Sequence, residues 1–197
     1  GGIGGATTAA VARALGAGQQ EDASRLAQQA LLIAALLAVL FMVALLGFGR
    51  GIFSAMGGRG PALDAALAYA NVLFGGAVII WFTNVLAAVV RGAGNMLLPS
   101  LLLLGTALLH LPLAPLLVFG WGPLPGMGVA GAAASTLTVN ALSALVMVGY
   151  LLRRHGVVSL RRTAWRPRAA LWRDILRVGL PASMSPVISN ASIAVST

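Results

Sequence analysis

Eight polar side chains within the long apolar stretches of this sequence are candidates for function, and their types limit the chemistry that they can do. They are Asn71, Thr83, Asn84, His110, Ser135, Thr136, Thr138 and Asn140. Amides and hydroxyls donate and accept hydrogen bonds, whereas His110 is the member of this set that can change its charge near neutral pH. Polar groups within apolar segments are costly and often functional. The candidates for the lining of a binding cavity are Asn71, Asn84, His110, Thr136 and Asn140.

The residue combinations that carry enzymatic chemistry are absent from the sequence. There is no Ser/His/Asp set within reach, no HExxH pattern, no pair of carboxylates and no cluster of metal-ligand residues. Cysteine is also absent, which excludes a disulfide framework, a thiol nucleophile and a thiolate metal site. We therefore predict that the chain is not an enzyme and uses neither a cofactor nor a structural metal.

The composition indicates the solvent that surrounds these polar groups. Hydrophobic residues make up 59% of the chain, charged residues 9%, and the mean hydropathy is +0.93, whereas soluble domains are about 45–50% apolar and about 25% charged. No charged residue occurs from Ala65 to Val90 or from Gly92 to Leu152. A soluble fold of this size cannot bury runs of that length, so we predict an integral membrane protein.

The length of a membrane span divides the chain into helices, because crossing the hydrocarbon takes roughly 20 apolar residues. The predicted helices are residues 1–15, 26–48, 65–90, 97–118 and 129–152, with a glycine-rich loop at 50–61, a basic stretch at 153–177 and the start of another helix at 178–197. The predicted fold class is all-α, a polytopic transmembrane helix bundle. Because the chain opens GGIGGATTAA, without a Met or a charged region, we expect an internal piece of a longer protein.

The arginines predict how the bundle is oriented. All thirteen basic residues are arginines; eleven fall on one side of the predicted bundle, and only Arg50 and Arg59 fall on the other. The positive-inside rule makes the first side cytoplasmic. The net charge of +9 thus reflects topology, not nucleic-acid binding, for which no supporting pattern is present. The segment Trp165 to Gly179 is predicted to be an interfacial helix whose arginines bind anionic membrane lipid.

The polar residues at membrane depth have two interpretations. Small and polar residues recur at a spacing of four along the last complete span: Gly128, Ala132, Thr136, Asn140 and Ala144. This pattern is typical either of close helix packing with interhelical hydrogen bonds or of a cavity lining. His110 is likewise either a packing residue or a proton-binding group. On the cavity interpretation, the residues that converge on one interior space are Asn84, His110, Thr136 and Asn140.

The segment RGAGNMLLP, residues 91–99, is predicted to be a tight turn at the membrane surface. Arg91 suits the C-terminal end of a helix dipole. Gly92 and Gly94 permit positive φ, and Pro99 fits the first turn of the following helix. The turn either serves the structure alone or takes part in gating a neighbouring cavity.

Four segments, in this order, resemble the multidrug and toxic compound extrusion (MATE) family. VARALGAGQQEDA (11–23) is similar to the family's turn between its second and third helices, and VVRGAGNMLLP (89–99) to its turn after the fourth. FGWGPLPGMGVAGAAAST (119–136) is similar to its fifth-to-sixth connection, and ILRVGLPASM (175–184) to the start of its seventh helix. The resemblance implies most of the N-terminal six-helix lobe of a two-lobe transporter, without its first helix.

This resemblance implies a secondary exporter in the plasma membrane, here a bacterial inner membrane, that expels amphipathic organic cations by alternating access in exchange for H⁺ or Na⁺. Its other partners would be the missing first helix and the C-terminal lobe, joined through a cytoplasmic linker at 153–177. Two positions depart from the family. His110 and Ala114 stand where many relatives carry Asn and Asp, and Ser189 where some carry Glu. The site of the coupling ion is therefore unassigned.

Two other functions remain open. One is a lipid-linked saccharide flippase of the same superfamily, which is expected to place more cationic residues inside the lobe, yet none of the four complete spans contains an arginine. The other is a membrane scaffold that transports nothing, in which the polar residues are purely structural.

Overall fold

The computed structural model describes residues 2–121, 124–152, 158 and 172. Its helices are α1 Gly2–Gly16, α2 Gln20–Ala55, α3 Gly60–Gly75, α4 Ala77–Gly92, α5 Leu97–Phe119 and α6 Val129–Leu151. Two short strands, β1 Gly120–Trp121 and β2 Leu124–Pro125, pair antiparallel in the connection between α5 and α6. The predicted all-α fold class is confirmed.

Helix length and composition agree with a membrane location. Helices α2, α5 and α6 are long and apolar enough to cross a bilayer, and α3 with α4, bent by 49° at the break between them, makes a fourth if the pair is counted as one span. Helices α5 and α6 have 23 residues each, which meets the roughly 20 residues that a helix needs to span about 30 Å of hydrocarbon.

The span predicted at residues 65–90 is two helices instead of one. Helix α3 ends at Gly75, and Gly76 separates it from α4 with φ −99° and ψ 11°. A Cβ atom at Gly76 would lie only 2.3 Å from Leu137 Cδ1. The break therefore lies where a leucine of α6 fills the space that a larger residue would need, and glycine, which has no Cβ, tolerates the contact.

Helix α2 is longer than the predicted span at both ends. At its start, Glu21 and Asp22 complement the N-terminal end of the helix dipole, and both pair with Arg25 one turn later. At its far end the helix continues through Arg50 to Ala55, where a loop was expected. Glycines within this stretch do not end it, since membrane helices tolerate glycine better than soluble ones do.

The end of α2 is set by a glycine in the left-handed region. Gly57 has φ +94°, and the N–H groups of Gly57 and Gly58 bond back to the carbonyls of Ser54 and Phe53 at 3.0 Å each. This is the Schellman arrangement that satisfies the last carbonyls of a helix. The loop between α2 and α3 is consequently much shorter than the predicted 50–61 segment.

The fold consists of two compact units. Unit 1 comprises Gly1–Ile33, Asn84–Pro99 and Met147–Thr197, and unit 2 comprises Ala34–Thr83 and Ser100–Val146. In unit 1, α1 packs against the second half of α4. Val11 of α1 and Leu86, Val89 and Val90 of α4 are fully buried there, and Thr8 Oγ1 bonds the carbonyl of Ala88 at 3.0 Å.

Unit 2 contains the connection between α5 and α6, and it also leaves much apolar surface exposed. The last carbonyls of α5, those of Leu117 and Val118, accept the N–H groups of Met127 and Gly128 at 2.9 and 3.0 Å. The returning chain thus caps the helix that it leaves. The exposed leucines of α5 within unit 2 are Leu101, Leu103, Leu104, Leu108, Leu109 and Leu111, as expected for a surface that faces lipid or further helices.

The predicted linker at 153–177, its interfacial helix and the helix beginning at 178 lie outside the described residues, apart from Val158 and Trp172. Val158 is buried. Trp172 donates its indole N–H to Oε1 of the buried Gln29 on α2, with 2.7 Å between the two atoms.

Candidate functional site

Helix α6 packs between α4 and α5 in unit 2 and carries the polar residues that meet both of them. Its contact with α5 is backbone to backbone, since a Cβ atom on Gly131 would lie 2.3 Å from the carbonyl oxygen of Leu117. Its contact with the α3–α4 break is the insertion of Leu137 beside Gly76. These two glycines let three helices approach closely enough for hydrogen bonds to form between them.

The first hydrogen bond between helices joins His110 of α5 to Ser135 of α6. His110 Nδ1 lies 3.3 Å from Ser135 Oγ, and the same Oγ lies 2.8 Å from the carbonyl oxygen of Ala132 one turn earlier. Ser135 is fully buried and His110 is half-buried. A titratable ring is thus held against a neighbouring helix by a buried hydroxyl group.

The second such bond joins α4 to α6. Thr83 Oγ1 lies 3.0 Å from the carbonyl oxygen of Asn140 and 2.8 Å from that of Ile79 in its own helix. Thr83 is 9% exposed. The acceptor on α6 is a main-chain group, so the contact depends on the position of α6 and not on the identity of residue 140.

Three further polar side chains of α6 bond to their own helix. Thr136 Oγ1 bonds the carbonyl of Ala132 at 3.1 Å, Thr138 Oγ1 that of Ala134 at 2.8 Å, and Asn140 Nδ2 that of Thr136 at 2.8 Å. Such bonds to the preceding turn satisfy the polar group without a partner helix. They lower the cost of placing these residues within the bilayer and leave hydroxyl and amide oxygens with further capacity to accept hydrogen bonds.

We call the set formed by Thr83, His110, Ser135, Thr136 and Asn140 the polar seam of unit 2. Three of the expected site residues lie in it: His110, Thr136 and Asn140. Thr136 and Asn140 are on α6, and His110 contacts α6 through Ser135. Asn84 follows Thr83 in sequence, but its side chain is exposed and belongs to unit 1. Asn71 is exposed on α3. The seam also includes Thr83 and Ser135, which pattern alone did not rank among the site candidates.

An apolar cavity of about 600 Å³ lies along α5 in the same unit. It is lined by Leu109, Pro112, Leu113, Pro115, Leu116, Phe119 and Gly120. Neither proline can donate an N–H to the carbonyl four residues earlier, so Leu108 and Leu111 lose that donor. The cavity therefore borders a stretch of helix in which apolar side chains and freed carbonyl dipoles occur together.

In unit 1, the turn at residues 91–99 connects α4 to α5 and is held by backbone hydrogen bonds and by close packing against α1. Gly94 has φ +89°, and the N–H groups of Gly94 and Asn95 bond to the carbonyls of Arg91 and Val90 at 3.0 and 3.2 Å, which is again a Schellman end. Gly92 abuts α1, because a Cβ there would lie 2.8 Å from the carbonyl oxygen of Thr8.

Asn95 adds two side-chain hydrogen bonds to this turn, a role that the sequence pattern did not reveal. Its Oδ1 accepts the N–H of Leu98 at 3.0 Å, and its Nδ2 lies 3.3 Å from Tyr150 Oη near the end of α6. Pro99, the third residue of α5, is buried in the first turn, where no intrahelical N–H donor is required. Arg91 is half-buried at the end of α4.

The described residues offer no ready-made metal site. Within residues 2–121 and 124–152, no group of three or more His, Cys, Asp or Glu side chains could hold a metal ion. What the seam presents is hydroxyl, amide and carbonyl oxygens with one imidazole, an arrangement suited to polar recognition and proton binding.

Comparison with known proteins relates this geometry to transporters. A family profile described as MatE matches residues 1–116. The chain is 26% identical over 152 residues to the multidrug export protein MepA of Staphylococcus aureus (strain bovine RF122 / ET3-1), an alignment that covers 77% of this chain and 33% of that protein. The chain therefore spans about a third of the length of the curated relatives that it matches.

Solved structures show the same similarity in two conformations. One is the inward-facing conformation of a multidrug resistance MATE family transporter of the MOP superfamily, with TM-score 0.85 and 34% identity, covering 93% of this chain and 41% of that chain. The other is an outward-facing conformation of such a transporter, with TM-score 0.84 and 33% identity, covering 94% of this chain and 41% of that chain. The fold described above fits both conformations about equally well.

Proposed function

The chain belongs to the MatE family of multidrug and toxic compound extrusion transporters, and on that premise we propose that it forms part of a secondary active exporter of amphipathic organic cations. The observation that carries the proposal is the polar seam of unit 2. Hydrogen-bonding side chains join three apolar helices there, and an apolar cavity of about 600 Å³ lies along α5 in the same unit. An amphipathic cation needs an apolar surface for its body and oxygen atoms for its charge.

The exporter would work by alternating access, and two findings support this. The relatives are named as multidrug export proteins. The chain also fits inward-facing and outward-facing MATE structures equally well, as expected for a lobe that keeps its fold while the transporter changes the side to which it opens.

The remaining parts of the proposal concern what lies around the chain. Because it spans about a third of its curated relatives, it would act together with a first helix and a C-terminal lobe, within a bacterial inner membrane. The arginine-rich segment 153–177 would be the cytoplasmic link between the lobes, in accord with the positive-inside rule. The driving ion would be H⁺ or Na⁺.

The test is ethidium efflux from cells that lack their own drug exporters and express the full-length protein. Preloaded cells are given an inward proton gradient, an inward sodium gradient, or neither after ionophore treatment. We expect faster loss of fluorescence than in vector cells under at least one gradient, and no difference when both are collapsed. Vector-level efflux under every gradient, with the protein present in the membrane, would contradict the proposal and favour a flippase or a scaffold.

A further inference from the structure

We propose that Trp172 anchors the arginine-rich segment 153–177 to the buried first half of α2, so that this segment moves together with unit 1. The inference rests on the proposed function only where it takes the segment as the link between two lobes. Three observations support it. They are the hydrogen bond between Trp172 and Gln29, the burial of α2 around Gln29, and the burial of Val158.

The first half of α2 has no exposed face around Gln29. The consecutive residues Ala27 to Leu31 are each exposed by 2% or less. Because an α-helix has 3.6 residues per turn, these positions take up its whole circumference. Farther along the same helix, Leu36 and Leu40 are 55% and 64% exposed. The side chain of Gln29 therefore lies inside unit 1, and its amide depends on protein groups for its hydrogen bonds.

Trp172 donates a hydrogen bond to this buried amide. Its Nε1 lies 2.7 Å from Oε1 of Gln29, although the two residues are 143 positions apart in the sequence. Indole has one N–H donor and no acceptor. A buried polar atom that loses its partner costs more free energy than the bond itself contributes. Release of Trp172 from α2 is therefore unfavourable, which is what an anchor requires.

The direction of the indole distinguishes an anchor from an ordinary interfacial tryptophan. A tryptophan at a membrane surface commonly keeps its N–H among water and headgroups. Trp172 is half-buried, and its N–H points to the protein. Val158, the other described residue of the segment, is 2% exposed, and residues Met147–Thr197 group with unit 1. Both described residues of the segment are thus in contact with the folded protein.

The anchor shortens the part of the link that is free to move. A fully extended chain spans at most about 3.3–3.6 Å per residue, so a link from the end of α6 to the helix predicted from residue 178 has a reach of about 90 Å. From Trp172 to the same point the reach is about 20 Å. A second lobe joined here therefore stays near the start of α2, and its movement relative to unit 1 is taken up after residue 172.

The test is limited trypsin digestion of the purified full-length protein in detergent. Trypsin cleaves after arginine, and Arg173 directly follows Trp172. The rate of cleavage after Arg173 is followed by mass spectrometry. A synthetic peptide of residues 165–179 gives the rate for an unanchored chain. Because cleavage of a folded protein follows the population of its locally open form, the ratio of the two rates reports how firmly Trp172 is held.

Four variants test whether the bond to Gln29 provides the protection. Trp172→Phe keeps an aromatic ring and removes the N–H, and Gln29→Leu keeps a side chain of similar size and removes the acceptor. The third variant combines both changes. The control is Trp81→Phe, which makes the same change at an indole of unit 2 that packs near Phe41.

We expect the wild-type protein and Trp81→Phe to be cleaved after Arg173 at equal rates, at least about tenfold more slowly than the peptide. Trp172→Phe and Gln29→Leu should each be cleaved about tenfold faster than the wild-type protein, because each removes one partner of a buried hydrogen bond. The double variant should be cleaved no faster than either single variant, since the bond can be lost only once.

Three results would overturn the inference. They are cleavage of the wild-type protein at the rate of the peptide, cleavage of both single variants at the wild-type rate, and an acceleration in the double variant equal to the product of the two single ones. If the melting curve shows that Trp172→Phe does not fold, Gln29→Leu is decisive by itself, and its cleavage at the wild-type rate would overturn the inference. The digestion uses no exported compound, so its failure and the failure of ethidium efflux are separate results.

Discussion

The contact between α1 and α4 in unit 1 and the contacts of α6 in unit 2 differ in the side chains that form them. In unit 1, α1 and α4 meet through buried valines, alanines and Leu86, and the bond from Thr8 to the Ala88 carbonyl is an additional polar contact. In unit 2, α6 meets α4 and α5 through a threonine, a serine and a histidine. In both units a glycine lies where two helices come closest together: Gly92 in unit 1 and Gly131 in unit 2.

The two kinds of helix contact have different consequences for stability and for transport. Dry contacts between small apolar residues favour a fixed packing, because in a membrane they gain energy only from close fit. Hydrogen bonds between helices contribute little net stability in a bilayer but present groups that can exchange one partner for another. We therefore expect steric changes to act on stability in either unit, and polar changes to act on transport in unit 2 alone.

The largest expected effect is that of Gly131→Ala in unit 2. The new Cβ would lie 2.3 Å from a main-chain oxygen of α5, which cannot rotate away, so α5 and α6 must separate. We expect a loss of about 3 kcal/mol in stability, measured as a lower melting temperature in detergent. Gly105→Ala, where nothing lies within 4 Å, is the control and should not lose stability. A melting temperature unchanged in Gly131→Ala would show that the polar bonds alone hold α6 in place.

Next in size is Gly92→Ala in unit 1. Its Cβ would lie 2.8 Å from the carbonyl oxygen of Thr8 and 2.9 Å from Val11 Cβ, and a valine on a helix has little freedom to move. The expected loss is about 2 kcal/mol, read from the same melting curve. Gly16→Ala, at the corresponding end of α1 with open space around it, is the matched control. Equal melting temperatures for the two variants would contradict the close approach of α1 to Gly92.

Thr83→Val sharpens the comparison on the functional side. It keeps the shape of the side chain but removes the bond to the Asn140 carbonyl. An interhelical bond of this kind contributes about 0.6 kcal/mol, so the melting temperature should hardly change, whereas ethidium efflux should fall several-fold. Thr138→Val, which removes only a bond within α6, should leave both unchanged. Loss of stability in Thr83→Val without loss of efflux would contradict a role of the polar seam in transport.

The smallest effect is expected for Tyr150→Phe. The bond from Asn95 to Tyr150 is long, at 3.3 Å, and lies in unit 1, so its removal should reduce stability by about 0.5 kcal/mol and leave efflux at the wild-type rate. Asn95→Ala, which also removes the bond to the Leu98 N–H, should reduce stability further. A clear loss of efflux in Tyr150→Phe would contradict the expectation that polar changes affect transport in unit 2 alone.

Much of this fold could be predicted from the sequence, because span length is a strong constraint in a bilayer. What escaped prediction depended on tertiary contacts. The pair Gly75–Gly76 lies in an unbroken apolar run, and the sequence does not reveal that the chain breaks there with Leu137 packed beside it. The glycines before and after Arg50 predicted a loop, yet α2 continues through them.

The candidate site was predicted less completely. The residue types at depth could be named from the sequence, and His110 was singled out by its chemistry. Its partner Ser135 could not be, since no pattern tells which face of α6 meets α5. The acceptor for Thr83 is a main-chain carbonyl, which carries no sequence signal at all.

The most direct test of the division between the units compares wild-type and His110→Gln full-length protein reconstituted in liposomes. Ethidium transport is driven by an imposed proton gradient, and the melting temperature of each protein is measured beforehand. We predict that the variant keeps its melting temperature to within about 2 °C, the shift expected for a change of well under 1 kcal/mol, and loses proton-driven transport. Proton-driven transport at the wild-type rate in a stably folded His110→Gln would contradict the account.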